Sequence, residues 1–209
     1  LCMKDVRIGL SLKKFALLII WMFVFLKINF GIIRSNGFLI LLENNQILLN
    51  SIIILIVYLS CRQELNQSLK ELNTAVMKKV GVTIIALILI NYVYMITVFG
   101  SFKVAPQSYS FIILFASIII APLKEELIYR YLFLSVANSK WIKVLLGIAS
   151  TMLFLYAHRF AYGGNILAMI QVLFLTAGTT YLYLKTRNIF SAVALHSLYN
   201  LFIILLSLI

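Results

Sequence analysis

Acidic residues are scarce in this chain of 209 residues, which holds 6 Asp and Glu against 18 Lys and Arg. Charged residues make up 11% of the sequence, whereas a soluble domain would carry about 25%. Apolar residues reach 63% and are arranged in long runs. This shortage of charge excludes an ordinary soluble domain and predicts an all-α, polytopic membrane protein.

Cysteine is almost absent as well. Its two copies, Cys2 and Cys61, form no CxxC pair and no cluster with histidine, which excludes a disulfide framework and a zinc-finger site. The net charge of +12 would suit a nucleic-acid surface, but the basic residues are scattered between apolar runs. That distribution is typical of anchoring to anionic lipid headgroups, so we predict a lipid bilayer and no nucleic acid as a partner.

Long apolar runs are abundant, and about 20 apolar residues suffice for a helix to cross a bilayer. They predict a transmembrane helical bundle with about seven spans, at residues 15–33, 39–60, 80–100, 108–134, 142–160, 164–184 and 188–209. The second run is interrupted by Glu43, Asn44, Asn45 and Gln46, so a shorter span starting near Ile47 is an alternative. The first run has no small-residue cleavage site after it and is predicted to be a signal anchor.

The distribution of basic residues predicts the orientation. Loops on one side hold several Lys and Arg each, and the opposite loops hold only Arg34, Lys103 and Arg159. The positive-inside rule therefore predicts a multi-pass cell-membrane protein whose N-terminus is cytoplasmic. Residues 61–79, the main polar segment, are predicted to form a short amphipathic helix on the inner surface. Its apolar face would consist of Leu65, Leu69, Leu72 and Val76.

Two of the scarce carboxylates, Glu125 and Glu126, stand side by side inside the fourth apolar run. Arg130 follows Glu126 by four residues, so these two side chains share a helical face and can pair. Glu125 points about 100° away, because a helix has 3.6 residues per turn. Pro122, just upstream, predicts a break or kink before Glu125. Taken alone, the cluster is as compatible with a structural ion pair as with a catalytic base.

Histidine occurs only twice, each time beside a partner at helical spacing. Phe154 and His158 share a face of the fifth span, and His196 and Asn200 share a face of the last. Each pair alone is typical of an interfacial residue or of hydrogen bonds between helices. Together with the two glutamates, they supply groups that activate water, stabilise an oxyanion or bind zinc. The His-Glu-x-x-His motif of zinc peptidases is absent.

These motifs resemble those of the CPBP family of intramembrane proteases, the CAAX-protease and bacteriocin-processing family, also called the Abi family. Its members carry Glu-Glu-x-x-x-Arg, Phe-x-x-x-His and His-x-x-x-Asn or Asp on successive membrane helices. The corresponding motifs here are Glu125-Glu126-x-x-x-Arg130, Phe154-x-x-x-His158 and His196-x-x-x-Asn200. The resemblance divides the chain into N-terminal membrane helices without a recognised motif, residues 1–107, and a CPBP-like catalytic helical core, residues 108–209.

The resemblance implies an intramembrane endopeptidase that hydrolyses a peptide bond in a small peptide or a membrane-associated protein. The biological role would be peptide maturation, bacteriocin processing or self-immunity. In such a site the Glu126–Arg130 pair would orient the reacting groups. An alternative is a non-catalytic CPBP-like membrane scaffold or immunity protein that binds a partner. A transporter or channel would also explain buried charge, but the chain shows no inverted repeat.

Roles for the other motif residues follow from the same resemblance. Glu125 is expected to be the general base that activates water, helped by His158, and His196 and Asn200 are expected to donate to the oxyanion. The family's mechanism has also been framed as that of a metalloprotease. A divalent metal such as zinc therefore stays open as a cofactor, with Glu125, His158 and His196 as candidate ligands. The sequence leaves the oligomeric state undetermined.

Depth in the membrane sets a condition on this hypothesis. Counted along the helices, Glu125 lies roughly 13 Å from the inner end of the fourth span, and His158, counted from Lys143, lies about 10 Å deeper. The catalytic hypothesis requires the two side chains to meet despite this difference.

Overall fold

A computed structural model describes residues 2–30, 45–102, 109–136, 139–159 and 161–208, with side chains described except at 2–11, 27–30 and 140. Within these ranges the chain is helical and contains no strand, so the predicted all-α class is confirmed. Parts of the predicted spans lie outside the described residues, namely 31–33, 39–44, 108, 160 and 209. The predicted loop residues Arg34 and Lys103 also lie outside them.

Seven helices follow one another along the described chain. They are α1 (Cys2–Phe30), α2 (Gln46–Lys70), α3 (Thr74–Phe99), α4 (residues 111–136), α5 (Lys140–His158), α6 (Ile166–Thr186) and α7 (Ile189–Ser207). Five of them, α2, α3, α5, α6 and α7, are long and apolar enough to cross a membrane. With α1 and α4 added, the bundle is consistent with about seven spans.

Helix α4 alternates between α-helical and π-helical geometry. Its successive segments are Phe111–Phe115 (α), Ala116–Ile120 (π), Ala121–Glu126 (α), Leu127–Leu132 (π) and Phe133–Val136 (α). The break predicted at Pro122 is wrong, because Ile120 and Ala121 keep right-handed helical angles (φ −70° and −65°, ψ −48° and −51°). Proline has no N–H to donate, and a wider π-helical turn lies directly before it.

Helix α2 begins close to the later of its two predicted starts. The Asn45 side chain caps it by accepting a hydrogen bond from the Leu48 amide at 3.2 Å. The helix continues to Lys70 with a kink at Cys61 (φ −120°, ψ 24°). After a short turn, α3 starts at Thr74. The prediction of one amphipathic surface helix over residues 61–79 is therefore wrong.

The end of α2 is held against the start of α7. The carbonyl oxygen of Ser68 accepts a hydrogen bond from Asn188 Nδ2 at 2.6 Å, and its Oγ accepts one from the Ile189 amide at 3.1 Å. Leu65 is buried in the core as a result of this docking. Polar groups at a helix N-terminus need such partners, and this requirement draws a segment with a polar sequence into the bundle.

Helix α7 is the centre of the C-terminal part of the bundle, where it packs against α3, α4 and α6. Gly178 permits the close approach of α6, since a Cβ atom there would lie 3.3 Å from Leu195 Cδ2. Helix α1 packs on the C-terminal end of α4. Its Trp21 makes edge-to-face contacts with Tyr129 and Phe133, at centroid distances of 5.1 and 5.9 Å.

Candidate active site

The Ala121–Glu126 segment of α4 places two carboxylates inside the bundle, where it contacts α2 and α7. The Glu125 side chain is 12% exposed and the Glu126 side chain is fully buried. Adjacent residues of a helix point about 100° apart, so the two carboxylates have different neighbours. Ionisable groups inside a membrane protein are costly unless they are paired.

Glu126 makes the ion pair that its spacing from Arg130 predicted. Arg130 Nε lies 3.2 Å from Glu126 Oε2, and both side chains are 1% exposed or less. Among the described residues, the guanidinium nitrogens find no well-aligned hydrogen-bond partner. The cation instead lies over the ring of Phe154, with Cζ 4.7 Å from the ring centroid. Phe154, predicted only as a neighbour of His158, thus also holds Arg130.

The second oxygen of Glu126 fixes the ring of His196. The distance from His196 Nδ1 to Glu126 Oε1 is 2.7 Å, and the ring is buried. A carboxylate accepts hydrogen bonds, so Nδ1 carries the hydrogen and donates it. The opposite nitrogen, Nε2, then faces Glu125 Oε2 at 3.8 Å. Glu126 therefore determines which nitrogen of His196 points toward Glu125.

His158 is oriented in a similar way by its own helix. Its Nδ1 lies 2.8 Å from the carbonyl oxygen of Phe154, which can only accept, so Nδ1 is the donor. The ring also contacts the Phe154 ring, with centroids 4.4 Å apart. His158 Nε2 faces Glu125 Oε2 at 4.0 Å, and its side chain is 27% exposed. Both histidines thus present Nε2 to the same carboxylate oxygen.

The depth difference expected between His158 and Glu125 does not keep them apart. The Ser150 hydroxyl donates to the Tyr129 carbonyl oxygen and fixes α5 beside α4. Between this contact and the contact of His158 with Glu125 lie eight residues of α5, or about 12 Å of helix. On α4 the same two contacts are four residues apart, or about 6 Å. The long side chains of Glu125 and His158 close the remaining gap. The geometric condition set by the sequence is met.

Glu125 is the carboxylate that reaches open space. Its Oε1 lies 3.3 Å from Lys124 Nζ, a partner that the sequence analysis overlooked although it is the adjacent residue. Glu125 and His158 line two cavities of about 310 and 210 Å³. His196 lines the larger cavity only. Of the two carboxylates, Glu125 is therefore the one that a molecule in these cavities could contact.

Asn200 lines the larger cavity beside His196. Its Nδ2 donates one hydrogen to the Ser117 carbonyl oxygen at 2.9 Å, and no described residue accepts the second hydrogen. The sequence did not predict the other polar side chains of this cavity. They are Tyr109, Ser117, Tyr162, Gln171 and Tyr199. Gln171 offered a signal, because an amide inside an apolar run needs a partner. The tyrosines offered none, since they are common in apolar runs.

The three candidate metal ligands converge without forming a metal site. Two ligands of one tetrahedral zinc ion lie about 3.4 Å from each other, and Nε2 of the two histidines lies 3.8 and 4.0 Å from a single oxygen of Glu125. Within the described ranges, no group of three His, Cys, Asp or Glu side chains is arranged to hold a metal ion. At these separations the three side chains do not surround a tetrahedral zinc ion, and metal dependence stays a prediction.

Fold and site together define a class of multi-pass helical membrane proteins that bury glutamates and histidines beside internal cavities. Residues 107–202 match the Rce1-like family model, whose description is Type II CAAX prenyl endopeptidase Rce1-like. This segment therefore matches a model of the CPBP family, which its motifs resemble, and it contains every motif residue. No curated protein and no solved structure matches the chain. The match begins after α3, so α1 to α3 lie outside it.

Proposed function

We propose that the protein is an intramembrane endopeptidase that hydrolyses a peptide bond in a small peptide or a membrane-associated protein. The observation that carries this proposal is the meeting of Glu125 Oε2 with Nε2 of both histidines at 3.8 and 4.0 Å, at the wall of two cavities. The family match supports a CAAX-type protease in general. We further propose the substrate, the biological role and the mechanism.

Water activation follows from the hydrogen-bonding capacities at Glu125. With Nδ1 as donor, the neutral His158 ring presents a lone pair at Nε2, and the carboxylate presents lone pairs as well. A water molecule that donates to two acceptors holds them roughly 4–5 Å apart, because each bond is about 2.8 Å long. The 4.0 Å separation of Glu125 Oε2 and His158 Nε2 suits such a water. Its oxygen lone pairs would then face the substrate carbonyl carbon.

In the proposed reaction, the water oxygen attacks that carbon while its proton passes to the Glu125 carboxylate. The carbonyl oxygen becomes an oxyanion, which the free N–H of Asn200 and protonated His196 would stabilise. The Glu126 carboxylate, 2.7 Å from His196 Nδ1, would hold the ring with Nε2 toward the reacting groups. As the C–N bond breaks, Glu125 returns the proton to the leaving amine. The products are a carboxylic acid and an amine, which account for all atoms of peptide and water.

The expected surroundings of the substrate agree with a membrane setting. The larger cavity has apolar walls formed in part by Val172, Leu175, Ile203 and Ile204. An apolar peptide segment would therefore bind with its scissile bond beside Glu125. We propose that the N-terminus is cytoplasmic, and that the cellular role is peptide maturation, bacteriocin processing or self-immunity. A non-catalytic scaffold is the alternative that the following experiment excludes or establishes.

The test uses purified protein in lipid vesicles with a pool of fluorescence-quenched apolar peptides, and mass spectrometry to locate the cleaved bond. Glu125→Gln should lower the cleavage rate by at least about 100-fold, because it removes the general base, with an unchanged melting temperature. Glu71→Gln is the matched control, since Glu71 is exposed and distant from the site along the chain. Cleavage should persist in the presence of a chelator if Glu125 activates the water without a metal ion.

Undiminished cleavage by Glu125→Gln would refute this mechanism. A Glu125→Gln variant that keeps the cellular phenotype of the wild type would favour the scaffold. Activity that is lost in chelator and restored by zinc would replace the glutamate–water mechanism with a metal-dependent one.

A further inference from the structure

A buried amide in α3 reaches the wall of the candidate active site. Asn91 is fully buried, and its Nδ2 donates to Tyr199 Oη at 2.9 Å and to Gln171 Oε1 at 3.4 Å. Tyr199 and Gln171 line the same cavity as Glu125 and both histidines. Asn91 itself lies before the family match, in the part of the chain without a recognised motif. The N-terminal helices thus contribute to the site through this residue.

The direction of these hydrogen bonds leaves donors available on the cavity wall. Tyr199 Oη accepts from Asn91 and still carries its own hydrogen, for which no described residue supplies an acceptor. Gln171 accepts through Oε1, and within the described part of the chain its Nε2 hydrogens have no acceptor either. The Tyr199 side chain is 6% exposed. A hydrogen-bond donor on a largely apolar cavity wall is costly to leave without an acceptor, so these two donors indicate a ligand that accepts hydrogen bonds.

We propose that Tyr199 and Gln171 bind main-chain carbonyl oxygens of an extended apolar peptide segment, and that Asn91 is the positioning residue that turns both donors toward the cavity. This inference rests on the proposed function and adds to it the way the substrate is held. A peptide backbone inside a membrane protein must have its carbonyl groups satisfied, because little water reaches it. Protein donors that bind the peptide main chain, beside apolar walls that contact the peptide side chains, meet that need. Such binding does not select one peptide sequence.

Two substitutions separate substrate binding from a merely structural link between α3 and α7. Tyr199→Phe keeps the ring and removes the hydroxyl donor. Asn91→Asp keeps the shape of the side chain, but a carboxylate only accepts, so the Tyr199 hydrogen would turn toward it and away from the cavity. Tyr94→Phe is the matched control: Tyr94 also lies on α3, and its hydroxyl donates to the Leu167 carbonyl oxygen at 2.6 Å, outside the cavity.

The experiment measures kcat and KM in lipid vesicles for the peptide of the pool that the wild type cleaves fastest. Tyr199→Phe should raise KM about five- to tenfold, the loss expected for one hydrogen bond, and Asn91→Asp should raise KM at least as much, because Asn91 contacts both donors; kcat should stay within twofold in each. The double variant should be no worse than Asn91→Asp alone, because Asn91→Asp already turns the Tyr199 donor away from the cavity. Tyr94→Phe should leave KM unchanged. An unchanged KM in Tyr199→Phe or in Asn91→Asp overturns the inference.

A second measurement needs no turnover. In the Glu125→Gln background, the peptide pool should raise the melting temperature more with Tyr199 present than with Tyr199→Phe. Equal shifts, including no shift in either protein, overturn the inference. Undiminished cleavage by Glu125→Gln with a smaller shift in Tyr199→Phe would refute the proposed mechanism and leave the binding role in place. The two proposals therefore fail in different ways.

Discussion

The two faces of the Ala121–Glu126 segment hold adjacent carboxylates in opposite ways. On one face, Glu126 is fully buried, pairs with Arg130 and accepts from His196, and it lines neither of the two cavities. On the other face, Glu125 has one ion-pair contact with Lys124, meets the histidines only at 3.8 Å or more, and lines both cavities. A carboxylate with fixed partners orients other groups, whereas one with free lone pairs can take up a proton.

The largest difference between the faces should appear in stability. Arg130→Met leaves the Glu126 carboxylate buried without its cation, and we expect a loss of about 3–5 kcal/mol in the free energy of unfolding. Adding Glu126→Gln should recover much of that loss, because no charge then stays unpaired. Unfolding in mixed detergent micelles measures both variants. An Arg130→Met protein as stable as the wild type would show that the ion pair does not hold the buried face.

The two histidines provide a sharper comparison. His196→Gln removes a donor from a buried carboxylate and should lower both the cleavage rate and the stability, the latter by about 1–3 kcal/mol. His158→Gln should lower the rate by about 10- to 100-fold with little change in stability, because His158 is partly exposed and donates to its own helix. The cleavage rates and melting temperatures of both variants measure this difference. Equal stability losses would remove the distinction between the faces.

The smallest effect is expected at Lys124. Its side chain is 19% exposed and touches one oxygen of Glu125 at 3.3 Å, and such partly exposed pairs contribute about 1 kcal/mol or less. Lys124→Gln should therefore change the cleavage rate about fivefold or less. Lys79→Gln, at an exposed position of α3, is the matched control for loss of a positive charge. A loss as large as that in Glu125→Gln would make Lys124 part of the proposed catalytic site.

Contacts within one helix could be predicted from the sequence, and contacts between helices could not. The spacing of Glu126 and Arg130 predicts their pairing, because four residues make about one helical turn. Nothing in the sequence states that His196 would bind Glu126 or that Asn91 would reach Tyr199. Those contacts depend on how helices distant in the chain pack together. The roles of the motif residues, and the division of the chain at residue 108, stay predictions.

A tertiary contact explains the error over residues 61–79, and a change of helical geometry explains the error at Pro122. The polar pattern after Cys61 is typical of a surface helix, but Leu65 and Ser68 are buried because the segment caps the start of α7. Proline usually interrupts a helix, yet α4 continues through a π-helical segment. In both places the structure was determined by a contact or a helical geometry that the local sequence pattern does not contain.

The π-helical segment Ala116–Ile120 has a consequence for how sequences of this kind should be compared. A π-helix closes its hydrogen bonds over five residues where an α-helix uses four, so this segment holds one residue more than an α-helical turn in the same place. Loss of one residue there would convert the segment to an α-helix and leave Glu125 facing nearly the same direction, whereas the same loss in an α-helical segment would turn the carboxylate by about 100°. A one-residue gap in an alignment of this segment is therefore compatible with an intact site.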